Sequence, residues 1–398
     1  MTGIEILLLC MSGLIGLGAL ETLSHRNCLR EIKTRIHVAG TRGKSSVTRL
    51  IAAGLREAGI TNAAKTTGTL ARMILPDGRE VPIFRPAGTS IIEQTRIVAT
   101  AARLGVDVLV VECMALQPVL HWLSERHLIK ATIGVITNAR ADHLDVMGPT
   151  ETDVAKALAG MIPIKGILFT AEQKHLDIFK RAAEDRKTEL ISVGPDDVGN
   201  ISNDDLAGFP YLEHRENLAL ALKILEKLSV PKDVALRGMW KADPDPGALT
   251  HHRLDFFGRD IVFVNGFAAN DPFSTEKIWR MSAEGHGDAR KTIAVFNMRA
   301  DRPHRTVQLA RHANFWHQAD GVVLMGTGAY SFSRQAQKAG YELGKIVYAD
   351  FDRVEDIFET IVGVSGPRSL VVGMGNIGEQ GLELTKFFRN RSRLGGAP

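Results

Sequence analysis

Polar and apolar positions alternate along this chain in patterns that change several times. From Ile6 to Leu20 no charged residue interrupts an apolar run bounded by Glu5 and Glu21, which predicts a short N-terminal hydrophobic helix. Beyond it, Arg35 to Ala39, "VDVLVVE" ending at Glu112, "ATIGVITN" ending at Asn138 and "KGILFT" are compact, mostly β-branched runs that read as buried strands of a mostly parallel sheet. Between them Val47, Leu50, Ile51 and Leu55 recur at helical spacing from Lys44 onward. Further helices are expected at 91–104, at about 171–187 and over "HRENLALALKILEKL". "LPDGREVPI" carries the Asp-Gly pair of a hairpin turn, and the polar "DDVGNISNDDLAGFP" reads as hairpins or surface loops. The Asp, Pro and Gly cluster at 241–249 reads as a linker. After it "DIVFVNGFA", "KTIAVFNM", "GVVLMG" and "SLVVGMG" predict a second α/β unit. The expected division is a hydrophobic segment at 1–30, a central domain at 31–250 and a C-terminal domain at 251–398.

Composition narrows this picture. A chain of 398 residues, 44% hydrophobic and 24% charged, has the makeup of a globular protein outside its first residues. The net charge of +4 is spread without an aromatic-interleaved basic stripe, so no nucleic-acid partner is expected. Cys10, Cys28 and Cys113 have no metal-ligand spacing and are odd in number, which fits a reducing compartment. The apolar run is shorter than the roughly 20 residues of a comfortable membrane span, leaving a membrane anchor, an interfacial or partner-buried helix and a helix packed on the chain's own core all open. No positive charge precedes the run, unlike a cleaved signal peptide. If it spans, Arg26, Arg30, Lys33 and Arg35 place the body on the cytoplasmic face.

The candidate chemistry starts at the strand-to-helix turn "AGTRGKSS". Gly40 and Gly43 let the backbone close around an anion, and Thr41, Arg42, Ser45 and Ser46 sit on the loop and the helix start behind it. Lys44 would meet the outer phosphates of a nucleotide and the Ser45 hydroxyl a magnesium ion. The match departs from the general phosphate-loop pattern at Val38, where the first glycine is expected. Glu112 ends one predicted strand, and Asn138, Asp142, His143 and Asp145 follow another, where open α/β sheets place their ligands. Taken singly, such residues more often cap helices and turns.

In their order along the chain, "GTRGKSS", "TTGT", Glu112, "TN…DHLD", "HRENLALA", "HHR" and "NGFAANDP" resemble the Mur ligase and folylpolyglutamate synthase superfamily over roughly 35 to 390. Within it the hydrophobic N-terminus, "AGTRGKSSVTRLI" and "NGFAANDP" resemble the ligase subunits of poly-gamma-glutamate synthases. The resemblance implies a Mur-ligase-like P-loop ATPase domain followed by a Rossmann-like domain that closes over the nucleotide. It implies an ATP-dependent amide ligase that makes γ-glutamyl bonds through an acyl phosphate, with ATP and Mg2+ as cofactors. Ser45 and Glu112 would hold one magnesium ion and His143 a second. Asn138 and Asp142 would shape the crevice, Asn217 would contact adenine, and Arg253 the terminal phosphate. The implied partners are glutamate or a growing poly-gamma-glutamate chain and small integral-membrane subunits, with a homo-oligomer left open. Two departures stand out. The lysine that many relatives carbamylate as a magnesium bridge falls on Leu158, leaving Lys156 or Lys165 to replace it. The family's "D-x-A-H-N-P" reads "NGFAANDP", so that Asn265 or Asp271 would take over ribose or hinge contacts. The alternatives are a folate or peptidoglycan-precursor ligase and an ATP-binding regulatory subunit. The hydrophobic N-terminus argues against the former, as does having only about thirty residues before the loop.

Overall fold

The computed structural model describes residues 2–68, 70–85, 88–245, 247–312, 316, 318–349 and 353–395. Thr69 of the "TTGT" stretch and Pro246 of the 241–249 segment lie outside the described residues. The chain divides into two compact units, one of residues 1–209 with 213–245 and one of 210–212 with 246–398.

The first unit opens with helix α1 (Gly3–Glu31), started by a capping box of Thr2 and Glu5. It outruns the apolar stretch that predicts it because "ETLSHRNCLRE" contains neither glycine nor proline to end it. None of its most apolar 18-residue window is buried, which overturns the reading of a helix packed on the chain's own core. Strands β1 (Thr34–Ala39), β2 (Asn62–Thr66), β3 (Arg72–Ile74), β4 (Glu80–Pro82), β5 (Val108–Glu112), β6 (Ile133–Ile136), β7 (Ile167–Thr170) and β8 (Glu189–Ser192) form one sheet in the order β4-β3-β2-β5-β1-β6-β7-β8. From β2 to β8 neighbouring strands are parallel; β3 and β4 add the expected antiparallel hairpin at one edge. Every residue of β5 is buried, as a strand covered on both faces requires. One face carries a core of Ile136, Leu158, Leu168 and Phe179, the other a core of Ile32, Val98, Leu109 and Val111.

The stretch read as hairpins or loops instead holds two short helices, Pro195–Gly199 and Asn203–Ala207. Asp197 accepts from the Gly194 N–H, and Ser202 and Asp205 close a reciprocal capping box, so the polar residues act as caps rather than turn formers.

The second unit is a six-stranded sheet in the order β13-β12-β11-β14-β10-β9, built from β9 (Thr250–Phe256), β10 (Arg259–Asn265), β11 (Lys291–Asn297), β12 (Gly321–Met325), β13 (Ile346–Tyr348) and β14 (Arg368–Met374). Four of these are the predicted apolar runs. The other two, β9 and β13, are edge strands whose half-exposed residues lack an apolar signature, and β9 is antiparallel. Phe296, Trp316 and Phe332 fill one face, and Phe263, Ile357 and Phe388 the other.

Candidate active site

Parallel register brings the site together. β1 lies between β5 and β6, with Val38 opposite Glu112 and Ala39 opposite Ile136. The loop that leaves Ala39, the Glu112 carboxylate and the Thr137–Asn138 pair therefore meet at the same C-terminal sheet edge. Helix α2 (Lys44–Glu57) starts there with no side-chain cap and no acidic residue in its first turn, so its N-terminal N–H groups and positive end are left for an anion.

Two glycines are required by geometry. Gly40 has φ +128°, and a Cβ there would lie 2.0 Å from Thr137 Oγ1; Gly43 has φ +81°, and a Cβ would lie 2.4 Å from Asn217 Oδ1. The loop is fastened from below. Thr41 Oγ1 donates to Asn138 Oδ1 (2.6 Å), as does the Arg42 N–H (3.0 Å), while Asn138 Nδ2 and Thr137 Oγ1 donate to Arg42 O at 3.1 and 2.7 Å. Lys44 Nζ donates to Gly40 O (2.8 Å) and Thr41 O (3.2 Å), folded onto its own loop where, among the described residues, its charge meets backbone carbonyls.

Ser45 Oγ donates to Glu112 Oε2 at 2.9 Å, and the Thr67 N–H donates to the same oxygen at 2.7 Å. Glu112 is buried, so these donors supply the stabilisation that water would otherwise give its carboxylate. Hydroxyl and carboxylate oxygens in contact are hard donors of the kind that suit a magnesium ion. Ser46 Oγ donates to Glu213, which also receives Asn217 Nδ2 (2.9 Å) and so orients the amide against Gly43. His143 has φ +48° at the start of the short helix Leu144–Met147, with Nε2 3.9 Å from Asp142 Oδ1. Among the described residues no group of three or more His, Cys, Asp and Glu side chains is arranged to hold a metal ion.

Residues that the sequence did not single out complete this edge. Lys65, on β2, is fully buried with Nζ 3.0 Å from Glu93, and Glu93 also receives Arg85 Nη2 at 2.8 Å. Burial holds the Lys65 ammonium below its ordinary range, against the opposing pull of Glu93 and Glu112. Thr137 and Glu213 sit beside quoted motifs, and their position in "TN" and before "HRENLALA" was the available signal. Leu158 is buried in an apolar cluster, and Lys156 is 64% exposed and 3.5 Å from Asp153.

The remaining predicted residues lie in the second unit. Arg253 on β9 is 72% exposed and paired with Asp260 through Nε (2.8 Å) and Nη2 (2.6 Å). Asn265 Nδ2 donates to Ala248 O at 3.1 Å, and Asp271 caps the helix Pro272–Gly285 by accepting from the Ser274 N–H at 2.9 Å.

Residues 38–219 match the Mur ligase middle domain and 251–391 the poly-gamma-glutamate synthase CapB C-terminal domain. Over 374 residues the chain is 34% identical to the PGA synthase CapB of Bacillus subtilis (strain 168), spanning 94% of each. The chain belongs to the poly-gamma-glutamate synthase CapB family. A second CapB relative, the capsule biosynthesis protein of Bacillus anthracis, is 41% identical over 321 residues, which is 80% of this chain and 68% of that one. Among solved structures, E. coli FolC in complex with DHPP and ADP superposes with a TM-score of 0.65 at 16% identity, covering 93% of this chain and 92% of that one. The Mycobacterium tuberculosis folylpolyglutamate synthase complexed with ADP gives 0.66 at 16% identity, covering 96% and 98%. This CapB-family chain thus has the Mur ligase and FolC type of α/β fold and carries an apolar N-terminal helix.

Proposed function

We propose that this chain is the ATP-dependent ligase of poly-gamma-glutamate synthesis, joining the γ-carboxylate of one glutamate to the amine of another. The observation that carries the reading is the cradle of Gly40, Gly43, Lys44, Ser45 and Glu112 in a chain of the CapB family. A carboxylate is a poor electrophile. Its oxygen attacks the terminal phosphorus of ATP, expelling ADP and leaving an acyl phosphate; the free amine of the second glutamate then attacks the acyl carbon, loses a proton and expels phosphate. Charge builds on the transferred phosphoryl group, and the start of α2 together with Lys44 would offset it by position and electrostatics. To do so Lys44 Nζ exchanges its contacts with Gly40 O and Thr41 O for phosphate oxygens.

A bound magnesium ion supplies further neutralisation of the phosphates, and Ser45 Oγ and Glu112 would hold it, with His143 offered for a second ion. Asn217 is assigned to adenine, Arg253 to the terminal phosphate, Asn265 and Asp271 to the ribose or hinge, and Asn138 to fixing the loop. We place the protein at the cytoplasmic face of the membrane beside small integral-membrane subunits. The support is one exposed apolar helix followed by basic residues, in a relative of capsule biosynthesis proteins. Incubating the purified chain with labelled glutamate, ATP and magnesium tests the chemistry. A γ-glutamyl product with matching ADP and phosphate is expected; AMP and pyrophosphate, or ATP consumption indifferent to glutamate, would overturn it.

A further inference from the structure

A surface remote from the cradle carries its own signal. α1 joins the body of its unit through Leu29 and Ile32, both buried, and Arg35 Nη1 fastens the junction by donating to Leu29 O (2.9 Å) and Ile32 O (2.6 Å). His25 Nε2 lies 2.9 Å from Leu128 O, so the π-helical turn Ser124–Ile129 stands beside the foot of α1. Arg26 and Arg30 of α1 and Arg126 and Lys130 of this neighbouring segment are all exposed, and none forms an ion pair with a carboxylate among the described residues.

The acids nearby do little to balance them. Glu125 is turned inward, 2.8 Å from both His37 Nδ1 and the Ala131 N–H. Asp107 is taken by Lys33 at 2.9 Å, leaving Glu21 and Glu31 as the exposed carboxylates of this helix end. Burial first, then the charges of Arg26, Arg126 and Arg35, hold the Lys130 ammonium below its ordinary range. Gathering cations without counter-charges costs free energy that an anionic surface would recover.

The depth fits such a surface. Arg26 follows Leu20 by six residues, about 9 Å along a helix axis, which is headgroup depth when the apolar run lies in hydrocarbon. Trp122, 44% exposed, meets His127 of the same turn edge-on at 5.3 Å, and tryptophan favours the membrane interface.

We infer that the foot of α1 and the turn at 124–130 form a docking surface for anionic phospholipid headgroups, with Arg26, Arg30, Arg126 and Lys130 as its cations. The inference rests on the reading of α1 as a membrane helix, and it makes the body of the enzyme, not only its anchor, a lipid-binding element. The cradle would then be held at a set distance from the bilayer.

Flotation of the full chain, delivered from dilute detergent to phosphatidylcholine vesicles or to vesicles with about one-third phosphatidylglycerol, tests this. Partition onto the anionic vesicles should be stronger by roughly tenfold or more, since each basic residue near such a surface contributes about fivefold. Salt at about 0.5 M should erase the difference. Arg126→Gln/Lys130→Gln and, separately, Arg26→Glu should each cut the preference by roughly tenfold or more, with nucleotide binding retained as a check of folding. Equal partition onto the two vesicles, a preference undiminished in the variants, or a preference appearing only when a second membrane protein is added would overturn the proposal. A chain that floats with neither kind of vesicle would refute α1 as a membrane helix and the surface with it, whereas equal flotation on both overturns the surface alone.

Discussion

Gly43 carries two constraints at once, a φ of +81° and the Asn217 amide where a side chain would begin. Gly43→Ala should therefore destabilise the first unit by about 1–3 kcal/mol and weaken nucleotide binding, read by denaturant unfolding and nucleotide titration together. Lys44→Ala separates the two effects. Its amine donates to loop carbonyls and holds no core contact among the described residues, so the variant should fold normally yet lose on the order of a hundredfold or more in amide formation. Full activity in a folded Lys44→Ala protein would sink the phosphate-loop assignment. A third residue ties stability to pH. Burial alone would push the His37 imidazole down, but the neighbouring Cys113 thiol and the Glu125 carboxylate, 2.8 Å from Nδ1, outweigh it and hold its pKa at about 9. Because the folded value lies above the unfolded one of 6.5, the stabilisation is complete below pH 6.5 and is lost as pH rises through about 9. The Cys113 thiol, held down at about 5, acts in the opposite sense and gains stabilisation as pH rises towards 9. The unfolding midpoint of the first unit should therefore stay nearly level between pH 6.5 and 9, and a steep fall over that range would show that His37 titrates alone. The loop was legible because Gly-Lys-Ser chemistry is local. Lys65 and Glu93 were not, because nothing in "AAKTT" or "IIEQ" says that a strand and a helix will bury them against each other.

Among the elements, α1 is the one whose burial stops short of its length. Its apolar window is wholly exposed, and the body grips it only from about His25 to Ile32. Deleting residues 1–24 should therefore leave the fold and magnesium-dependent nucleotide binding intact while abolishing membrane association. Fractionation in about 0.5 M salt, where surface charge is screened, checks this; sedimentation of the truncated chain with membranes under those conditions would refute the anchor. Most strands at the centre of each sheet were readable as apolar runs because both their faces are covered; β2 was not, since Asn62, Lys65 and Thr66 interrupt its apolar residues although all five positions are buried. Edge strands β8, β9 and β13 were not, since half-exposed residues carry no such signature. The helices at 195–207 were hidden by their own caps, because Asp and Ser favour turns and helix starts alike.

At the scale of the molecule, the two units have separate hydrophobic cores, one set around Phe179 and Val98 and the other around Trp316 and Phe388. Calorimetry of the nucleotide-free chain should show two unfolding transitions, and ATP with magnesium should raise the one belonging to the first unit, which holds the cradle. A single transition that nucleotide leaves unmoved would contradict both the independence of the cores and the location of the site.

The sequence by itself determined the alternation of strands and helices, the apolar N-terminal helix, the anion-cradling turn and the strand-end carboxylate, because period, glycine placement and residue chemistry act over a few neighbours. Strand order and register were decided only in three dimensions. Placing β1 between β5 and β6 is what sets Ser45 beside Glu112 and Thr41 beside Asn138, partners separated by 67 and 97 positions. The same long-range packing set the turn at 124–130 beside the foot of α1. No local pattern encodes such a pairing; it follows from the one arrangement that buries the apolar strands of each sheet at once.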